Sequence, residues 1–179
     1  YMTPHLTKNI DILEVGCSSG FMLWPLQKLG HQCSGVEPSG LFSEFVRSNG
    51  IDVYNSIDDI TRTIQYDLIL HFFVLEHISA PLTFLRRQLA LLKPGGKIVF
   101  EVPNAADPLY SVYDIPAFER FYWSVAHPWY FSEKSLHYLL KELACSYEIF
   151  GDQRYDLSNH MVWARDGNPG GMNRFTEKL

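Results

Sequence analysis

The sequence predicts an α/β fold with a doubly wound, mostly parallel β-sheet. Short apolar segments of strand length alternate along the chain with segments in which apolar residues recur at helical spacing. One strand segment, Tyr66–Phe73, is apolar almost throughout, which is typical of a strand that is covered on both faces of the sheet. Right-handed crossovers between parallel strands would then place helices on both faces.

The first third of the chain shows this alternation most clearly. Strands are predicted over Asp11–Val15, Gln32–Val36 and Asp52–Tyr54, and helices over Phe21–Leu29 and Leu41–Ser48. Each helix is followed by a stop signal, Gly30 or Asn49–Gly50, because helices commonly end before a residue in the left-handed conformation.

The remaining elements follow the long apolar strand. They are a helix over Pro81–Leu92, a turn over Pro94–Gly96, a strand over Lys97–Val102 and a helix over Ser135–Leu143. Ser132 is predicted to cap the last of these helices. Two final strands, Tyr147–Tyr155 and His160–Ala164, have no helix between them, so we expect them to pair as an antiparallel hairpin.

Length and composition indicate one globular domain with a sizeable core. The chain has 179 residues, of which 46 % are apolar and 20 % are charged. Its net charge of −5 and the lack of a Lys/Arg cluster argue against a nucleic-acid partner. No apolar run approaches the ~18–20 residues that span a membrane, so a membrane partner is not expected either.

The cysteines favour a reducing location. Cys17, Cys33 and Cys145 are widely spaced, and no CxxC pair occurs. Neither a disulfide framework nor a structural zinc site is expected, and the seven histidines show no metal-binding spacing. We therefore predict a cytoplasmic protein without a bound metal.

The loop after the first strand, Gly16-Cys17-Ser18-Ser19-Gly20, is short and built of small residues. Ligands of doubly wound sheets bind outside the carboxyl ends of the strands. Glu37 ends the second strand at that same edge and falls 21 residues after Gly16, near the ~20-residue spacing at which an acid meets ribose hydroxyls. Glu14, an acid inside the apolar first strand, is expected to lie beneath the loop and organise its amides.

The loop differs from the dinucleotide pattern G-x-G-x-x-G. Ser18 and Phe21 occupy the second and third glycine positions, and Phe21 would crowd the contact between helix and strand. The phosphate-binding pattern G-x-x-x-x-G-K-[ST] is also absent. The sequence therefore favours a nucleoside without phosphates over NAD.

Five short motifs lie in a recognisable order between Asp11 and Asn104. They are Glu14-Val15-Gly16-Cys17-Ser18-Ser19-Gly20, Gly35-Val36-Glu37-Pro38, Tyr66-Asp67-Leu68-Ile69, Leu75-Glu76-His77 and Leu92-Lys93-Pro94-Gly95-Gly96. With these motifs the sequence resembles the class I S-adenosylmethionine-dependent methyltransferases, in particular their broad small-molecule group. Ser18 departs from the glycine that many members have there.

The resemblance implies a Rossmann-like, seven-stranded sheet with an antiparallel C-terminal hairpin, and S-adenosylmethionine as cofactor. It implies that the loop residues Gly16, Cys17, Ser18 and Gly20 wrap the methionine part. Glu37 would hold the ribose, and Ser56 and Ile57 would flank the adenine. His71 and Phe72, at the end of the fourth strand, would offer backbone groups to the amino group.

Residues 104–131 are rich in aromatic side chains and poor in regular pattern. Long loops at the ligand end of a sheet often cover active sites, so this segment is predicted to be a substrate-covering insertion in a single domain, residues 1–179. His127, its only histidine, is the candidate general base. The chain opens almost directly on the first strand, and we expect an N-terminal helical segment to be missing from it.

The predicted reaction is methyl transfer to a small-molecule acceptor through an oxygen, carbon or nitrogen atom. The segment His71-Phe72-Phe73-Val74 replaces the N-P-P-Y type of motif found in enzymes that methylate DNA adenine. Two alternatives remain open, an NAD-dependent oxidoreductase and a non-catalytic module that binds S-adenosylmethionine. A homodimer is also left open.

Overall fold

A five-stranded parallel β-sheet, in the order β3-β2-β1-β4-β5, forms the centre of the first half of the protein. The structure is a computed structural model that describes residues 9–61 and 63–175. These residues divide into two units, and the boundary in the sequence lies between Val102 and Pro103. The start of the chain, from which we expect a helical segment to be missing, lies outside the described residues.

The first unit alternates strand and helix as predicted. Its strands are β1 (Asp11–Val15), β2 (Gln32–Val36), β3 (Asp52–Tyr54), β4 (Tyr66–Phe72) and β5 (Leu92–Glu101), and its helices are α1 (Leu23–Lys28), α2 (Gly40–Ser48) and α3 (Pro81–Leu89). Short 3₁₀ turns follow β3 and β4. The predicted α/β class with a parallel, helix-flanked sheet is confirmed.

Both faces of the sheet are buried, as the apolar strands predict. Along β1, Leu13 and Val15 pack on one side with Ile69 of β4, whereas Ile12 packs on the other side with Leu68 and with Leu26 of α1. Successive side chains of a strand point to opposite faces, so an uninterrupted apolar run supplies two cores at once.

The segment Lys93–Gly96 does more than turn the chain. It lies within β5, where the register against β4 shifts between Tyr66 and Leu68. The Lys93 ammonium group contacts the carboxylates of Asp11 and Asp67, the latter at 2.7 Å. Lys93 thus joins the starts of β1 and β4, and its partnership lowers the pKa of Asp67.

The second unit is helical within the described residues. Its helices are α4 (Pro108–Ser111), α5 (Pro116–Tyr122), α6 (Glu133–Lys141) and α7 (Leu157–Asp166). The predicted cap of α6 is present, because the Ser135 amide donates to Ser132 Oγ at 3.2 Å. Part of the aromatic segment forms a core with α7: the rings of Phe118 and Trp163 meet edge to face at 5.2 Å.

The predicted C-terminal hairpin is wrong, and the described residues contain five strands, against the seven that the resemblance implies. Residues 147–155 form no strand, and the predicted last strand lies inside α7. Asp156 caps this helix by accepting a 2.9 Å hydrogen bond from the Asn159 amide, and Gly167 ends it with φ 67°. These start and stop signals determine the helix despite the strand-like run Met161-Val162-Trp163.

No helix in the described part of the chain is long and apolar enough to cross a membrane.

Candidate functional site

The loop Gly16–Gly20 is fastened to the end of β2 by backbone hydrogen bonds. The amides of Gly16 and Cys17 both donate to the carbonyl of Val36, at 2.8 and 3.1 Å. A third bond, from the Gly20 amide to the Cys17 carbonyl at 2.8 Å, closes the loop into a tight turn. The first two strands therefore present one joined edge at their carboxyl ends.

Three loop residues adopt the left-handed conformation: Gly16 and Gly20 at φ 75° and Ser18 at φ 46°. Glycine takes this conformation without a steric cost, whereas serine does not. A Cβ on Gly16 would also lie 2.7 Å from Cγ2 of Val74. Glycine at position 18 would therefore be less strained than the serine that the chain has there.

Glu37 is the residue that holds the loop from the side. It is buried, and its carboxylate accepts hydrogen bonds from the amides of Ser18 at 2.9 Å and Ser39 at 2.8 Å, one on each oxygen. Its own amide donates to the Tyr54 carbonyl at 2.9 Å, which ties it to the end of β3. The acid predicted for a ribose therefore lies inside the joined edge of β1, β2 and β3.

Glu14 does not form the predicted hydrogen bonds to the loop amides. Those amides that are paired use Val36, Cys17 and Glu37, and within the described residues Glu14 Oε2 is buried without a hydrogen-bond partner. Burial raises the pKa of Glu14 to about 8. The carboxyl group is therefore protonated at neutral pH, which makes it a poor acceptor for amides and an available donor.

Cys17 turns its side chain away from the loop into the core. It packs against Leu23 and Val46, and a Cβ on Gly35 of β2 would clash with its sulfur. Burial first, and then the nearby Glu14 carboxyl, raise the pKa of the Cys17 thiol to about 12. Its backbone, rather than its thiol, is what the loop can offer to a ligand.

His71 and Phe72, the residues at the end of β4 that are predicted to contact the cofactor, have side chains that pack in the core. The His71 ring is fully buried and stacks on Phe100 at 4.9 Å, and neither ring nitrogen has a hydrogen-bond partner among the described residues. Burial lowers the pKa of His71 to about 3, so its imidazole is neutral. Phe72 packs beside Leu70 on the other face. Contact through their backbone stays a prediction.

The residues predicted near an adenine also have structural tasks. Ser56 caps the 3₁₀ turn after β3 and accepts a 3.2 Å hydrogen bond from the Asp58 amide. The Ile57 side chain is buried in the core with Leu13 and Tyr66. The structure places both residues at the carboxyl end of β3, and their contact with a base stays a prediction.

His127 lies in a hydrogen-bonded group of the second unit. The Tyr130 hydroxyl donates to the Tyr122 carbonyl at 2.6 Å and accepts from the Ser124 amide at 2.6 Å. His127 Nδ1 lies 2.9 Å from the same hydroxyl oxygen. Because that hydroxyl proton is already used, the network assigns the proton to Nδ1 and the lone pair to Nε2.

Sequence reasoning missed two residues that shape the loop. Val74 packs on Gly16, and the Trp24 indole nitrogen would lie 2.5 Å from a Cβ on Gly20. The Trp24 ring also stacks on Phe45 of α2 at 5.8 Å. The spacing of Trp24, four residues after Gly20, was the available signal. Phe21, by contrast, is 87 % exposed and crowds no contact, because α1 begins two residues later than Phe21.

A family model described as a methyltransferase domain matches residues 1–146 of the chain. Solved methyltransferases have a similar fold. One from Bacillus halodurans C-125 aligns with a TM-score of 0.61 at 14 % identity, covering 77 % of this chain and 63 % of that one. A plantazolicin methyltransferase in complex with a desmethyl analogue and S-adenosylhomocysteine also gives 0.61, at 18 % identity, covering 76 % and 56 %.

Curated relatives match the first half of the chain. A ubiquinone biosynthesis O-methyltransferase from Bradyrhizobium sp. (strain ORS 278) is 33 % identical over 103 residues, which cover 54 % of this chain and 41 % of the relative. A tRNA U34 carboxymethyltransferase from Pseudoalteromonas translucida (strain TAC 125) is 29 % identical over 113 residues, covering 56 % and 34 %. The chain thus spans less than half the length of these relatives.

Proposed function

The chain belongs to the methyltransferase domain family, in the class I S-adenosylmethionine-dependent group that its sequence predicted, and from this we propose how it binds and uses its cofactor. The adenosyl group lies across the carboxyl ends of β1 and β2, and the methyl acceptor is a small molecule. One observation carries the proposal: Glu37 at the tip of β2 is bonded to the Ser18 amide of the loop after β1.

The residues at this edge fit an adenosyl group. Each Glu37 oxygen accepts one backbone amide, and a carboxylate oxygen has room for a second hydrogen bond. Two further acceptor positions suit the two ribose hydroxyls. The loop Gly16–Gly20 carries no cationic side chain, which suits a ligand without phosphates and disfavours NAD.

S-adenosylmethionine, when bound, supplies a methyl group on a positively charged sulfur. The protein must then hold the acceptor atom in line with that methyl group in a closed site, and orientation alone can supply several kcal/mol of the barrier, about 7 at the low end of measured cases. The loop and Glu37 are fixed by hydrogen bonds before any ligand arrives, so the cofactor would meet an ordered surface.

His127 remains the proposed general base for an acceptor that must lose a proton. Its support is the tautomer, because Nδ1 carries the proton toward Tyr130 and the basic lone pair resides on Nε2. The His127→Ala variant should lower turnover and leave cofactor affinity nearly unchanged. Full turnover in that variant would remove His127 from the mechanism.

The small-molecule acceptor is supported by the net charge of −5, which disfavours a polyanionic partner. The tRNA-modifying relative supplies the rival acceptor class. The unpaired thiols of Cys17, Cys33 and Cys145 support the proposed cytoplasmic location.

The proposal is tested by two measurements on one preparation. Calorimetric titration should show binding of S-adenosylhomocysteine and none of NAD⁺. Release of S-adenosylhomocysteine should then be followed with a panel of small acceptors and, separately, with bulk tRNA. Turnover on tRNA alone would replace the proposed acceptor class, and cofactor binding without any turnover would favour the non-catalytic module.

A further inference from the structure

Phe73, the residue directly after β4, has a backbone conformation that aromatic residues rarely adopt. Its φ is 55°, in the left-handed region. A bulky side chain there is a conformational outlier, and such outliers cluster at active sites and ligand clamps. The position therefore calls for an explanation beyond chain reversal, for which glycine would serve better.

The surroundings of Phe73 hold this conformation in place. Its amide donates to the Glu101 carbonyl of β5 at 2.9 Å. The next residue, Val74, packs on Gly16 of the cofactor loop and accepts a 3.0 Å hydrogen bond from the His77 amide. The backbone of this segment is thus held by β5 on one side and by the loop after β1 on the other.

The ring of Phe73 stands out from a buried strand. It is 39 % exposed, whereas Tyr66, Leu68, Ile69 and Leu70 of β4 are all at most 2 % exposed. Phe72 before it packs into the core. A strained backbone therefore brings a large apolar ring to the surface, at the edge of the sheet where ligands of this fold bind.

The position of β4 in the sheet indicates which ligand the ring would meet. Ser56 and Ile57, proposed to flank the adenine, follow β3, and three strand spacings separate β3 from β4, or about 14 Å. His71 and Phe72, at the end of β4, are proposed to face the methionine part of the cofactor, which carries the methyl group. Phe73 therefore lies at the methyl end of the proposed cofactor position rather than at its adenine end, and the ligand expected there is the methyl acceptor.

We propose that Phe73 is a specificity-determining residue that selects an acceptor with a flat aromatic ring. The inference rests on the proposed function and names its substrate class. A surface aromatic ring can pack against the ring of a flat ligand, and aromatic pairs gain energy from such packing beyond their buried area. It would orient the acceptor while Glu37 and the loop orient the cofactor.

The test compares two hydroxyl compounds with the same carbon skeleton. 2-Naphthol has a flat aromatic ring system, and decahydro-2-naphthol carries its hydroxyl at the same position of the saturated skeleton. Affinities for both are measured by ligand-observed NMR with the protein saturated in S-adenosylhomocysteine. Phe73→Leu keeps an apolar side chain but loses the ring, Phe73→Tyr keeps the ring, and Leu29→Ala alters a residue that is 67 % exposed at the far end of α1.

We expect the wild type to prefer 2-naphthol. Phe73→Leu should bind 2-naphthol between about twofold and tenfold more weakly, the range expected for a lost aromatic pair, and its affinity for the saturated alcohol should change less. Phe73→Tyr and Leu29→Ala should behave as the wild type, and all variants should bind S-adenosylhomocysteine equally.

Two results would overturn the inference alone, provided that S-adenosylhomocysteine still binds. One is absence of a preference for 2-naphthol in the wild type, including absence of binding. The other is equal 2-naphthol affinity in wild type and Phe73→Leu. Failure of the wild type to bind S-adenosylhomocysteine would instead overturn the proposed function, and the inference with it.

Discussion

The carboxylate of Glu37 accepts a 2.9 Å hydrogen bond from the backbone amide of Ser18. The acid that ends β2 thereby holds the loop that follows β1, across the edge where the two strands stop. A second bond, from the Ser39 amide at 2.8 Å, uses the other carboxylate oxygen and fixes the start of α2. The same side chain thus orders the loop and offers its remaining lone pairs to a ligand.

The left-handed conformation of the loop predicts that adding and removing a Cβ have opposite effects on stability. Ser18→Gly removes a Cβ from the left-handed region and should raise the free energy of unfolding by up to about 1 kcal/mol. Gly16→Ala adds a Cβ in that region, 2.7 Å from Val74, and should lower it by about 2–4 kcal/mol. Urea denaturation measures both. A destabilised Ser18→Gly or an unaffected Gly16→Ala would contradict the loop geometry.

The raised pKa of Glu14 predicts that its contribution to stability falls as pH rises. Its pKa is raised from the ordinary value of 4.5 to about 8, so the folded state binds a proton that the unfolded state releases. The stabilisation is complete below pH 4.5 and declines as pH rises to 8, by at most about 1.4 kcal/mol per pH unit. Urea denaturation of Glu14→Gln should lack this decline.

Glu44, an exposed acid on α2, supplies the matched control for Glu14. Glu44→Gln should keep the decline of the wild type between pH 6.5 and pH 8. A decline of equal size in Glu14→Gln would show that Glu14 is not the titrating group.

His71 predicts the opposite dependence at acid pH. Its pKa is lowered from 6.5 to about 3, so the unfolded state binds a proton that the folded state does not. Its contribution is complete above pH 6.5 and is lost as pH falls toward 3, by at most about 1.4 kcal/mol per pH unit. His71→Phe, which can keep the stacking on Phe100, should gain stability as pH falls from 6.5 to 4.5, whereas the stability of the wild type should stay level.

The two effects cancel between pH 4.5 and pH 6.5, so the wild type should be most stable in that interval. His137→Gln, at a half-exposed histidine of α6, serves as the control and should follow the wild type. If the stabilities of His71→Phe and the wild type changed in parallel as pH falls below 6.5, His71 would not be the titrating group.

The thiols should differ sharply in reactivity. Burial raises the pKa of Cys17 to about 12 and that of Cys33 to about 11, whereas Cys145 is exposed. Only the thiolate is alkylated, so iodoacetamide at pH 8 should modify Cys145 first and the other two only on unfolding. Mass spectrometry with a guanidinium-unfolded control measures this. Modification of Cys17 at the rate of Cys145 would mean that the loop opens.

The strands of the first unit could be predicted from the sequence because their apolar runs are bounded by turn residues. The predicted bounds of β1, β2 and β3 match those of the structure. The last predicted strand failed because Met161-Val162-Trp163 has strand-like composition, and the helix signals at Asp156 and Gly167 were overlooked. At this segment the capping residues indicate the helix, whereas the amino-acid composition indicates a strand.

The sequence predicts where the site lies in the fold, but not which side chains form its hydrogen bonds. Strand order places Glu37 and the loop at one edge, yet only side-chain geometry shows that Glu37, rather than Glu14, bonds the Ser18 amide. The left-handed backbone of Phe73 has no signal in the sequence, because an aromatic residue gives no reason to expect positive φ.

The central claim, that one carboxylate grips the ribose of the cofactor, is tested most directly by calorimetric titration of S-adenosylhomocysteine into the wild type and Glu37→Gln. Loss of a charged hydrogen-bond partner costs about 1.5–3 kcal/mol, so the Kd should rise about tenfold or more. Glu44→Gln should match the wild type. Equal affinity of Glu37→Gln and the wild type would contradict the account.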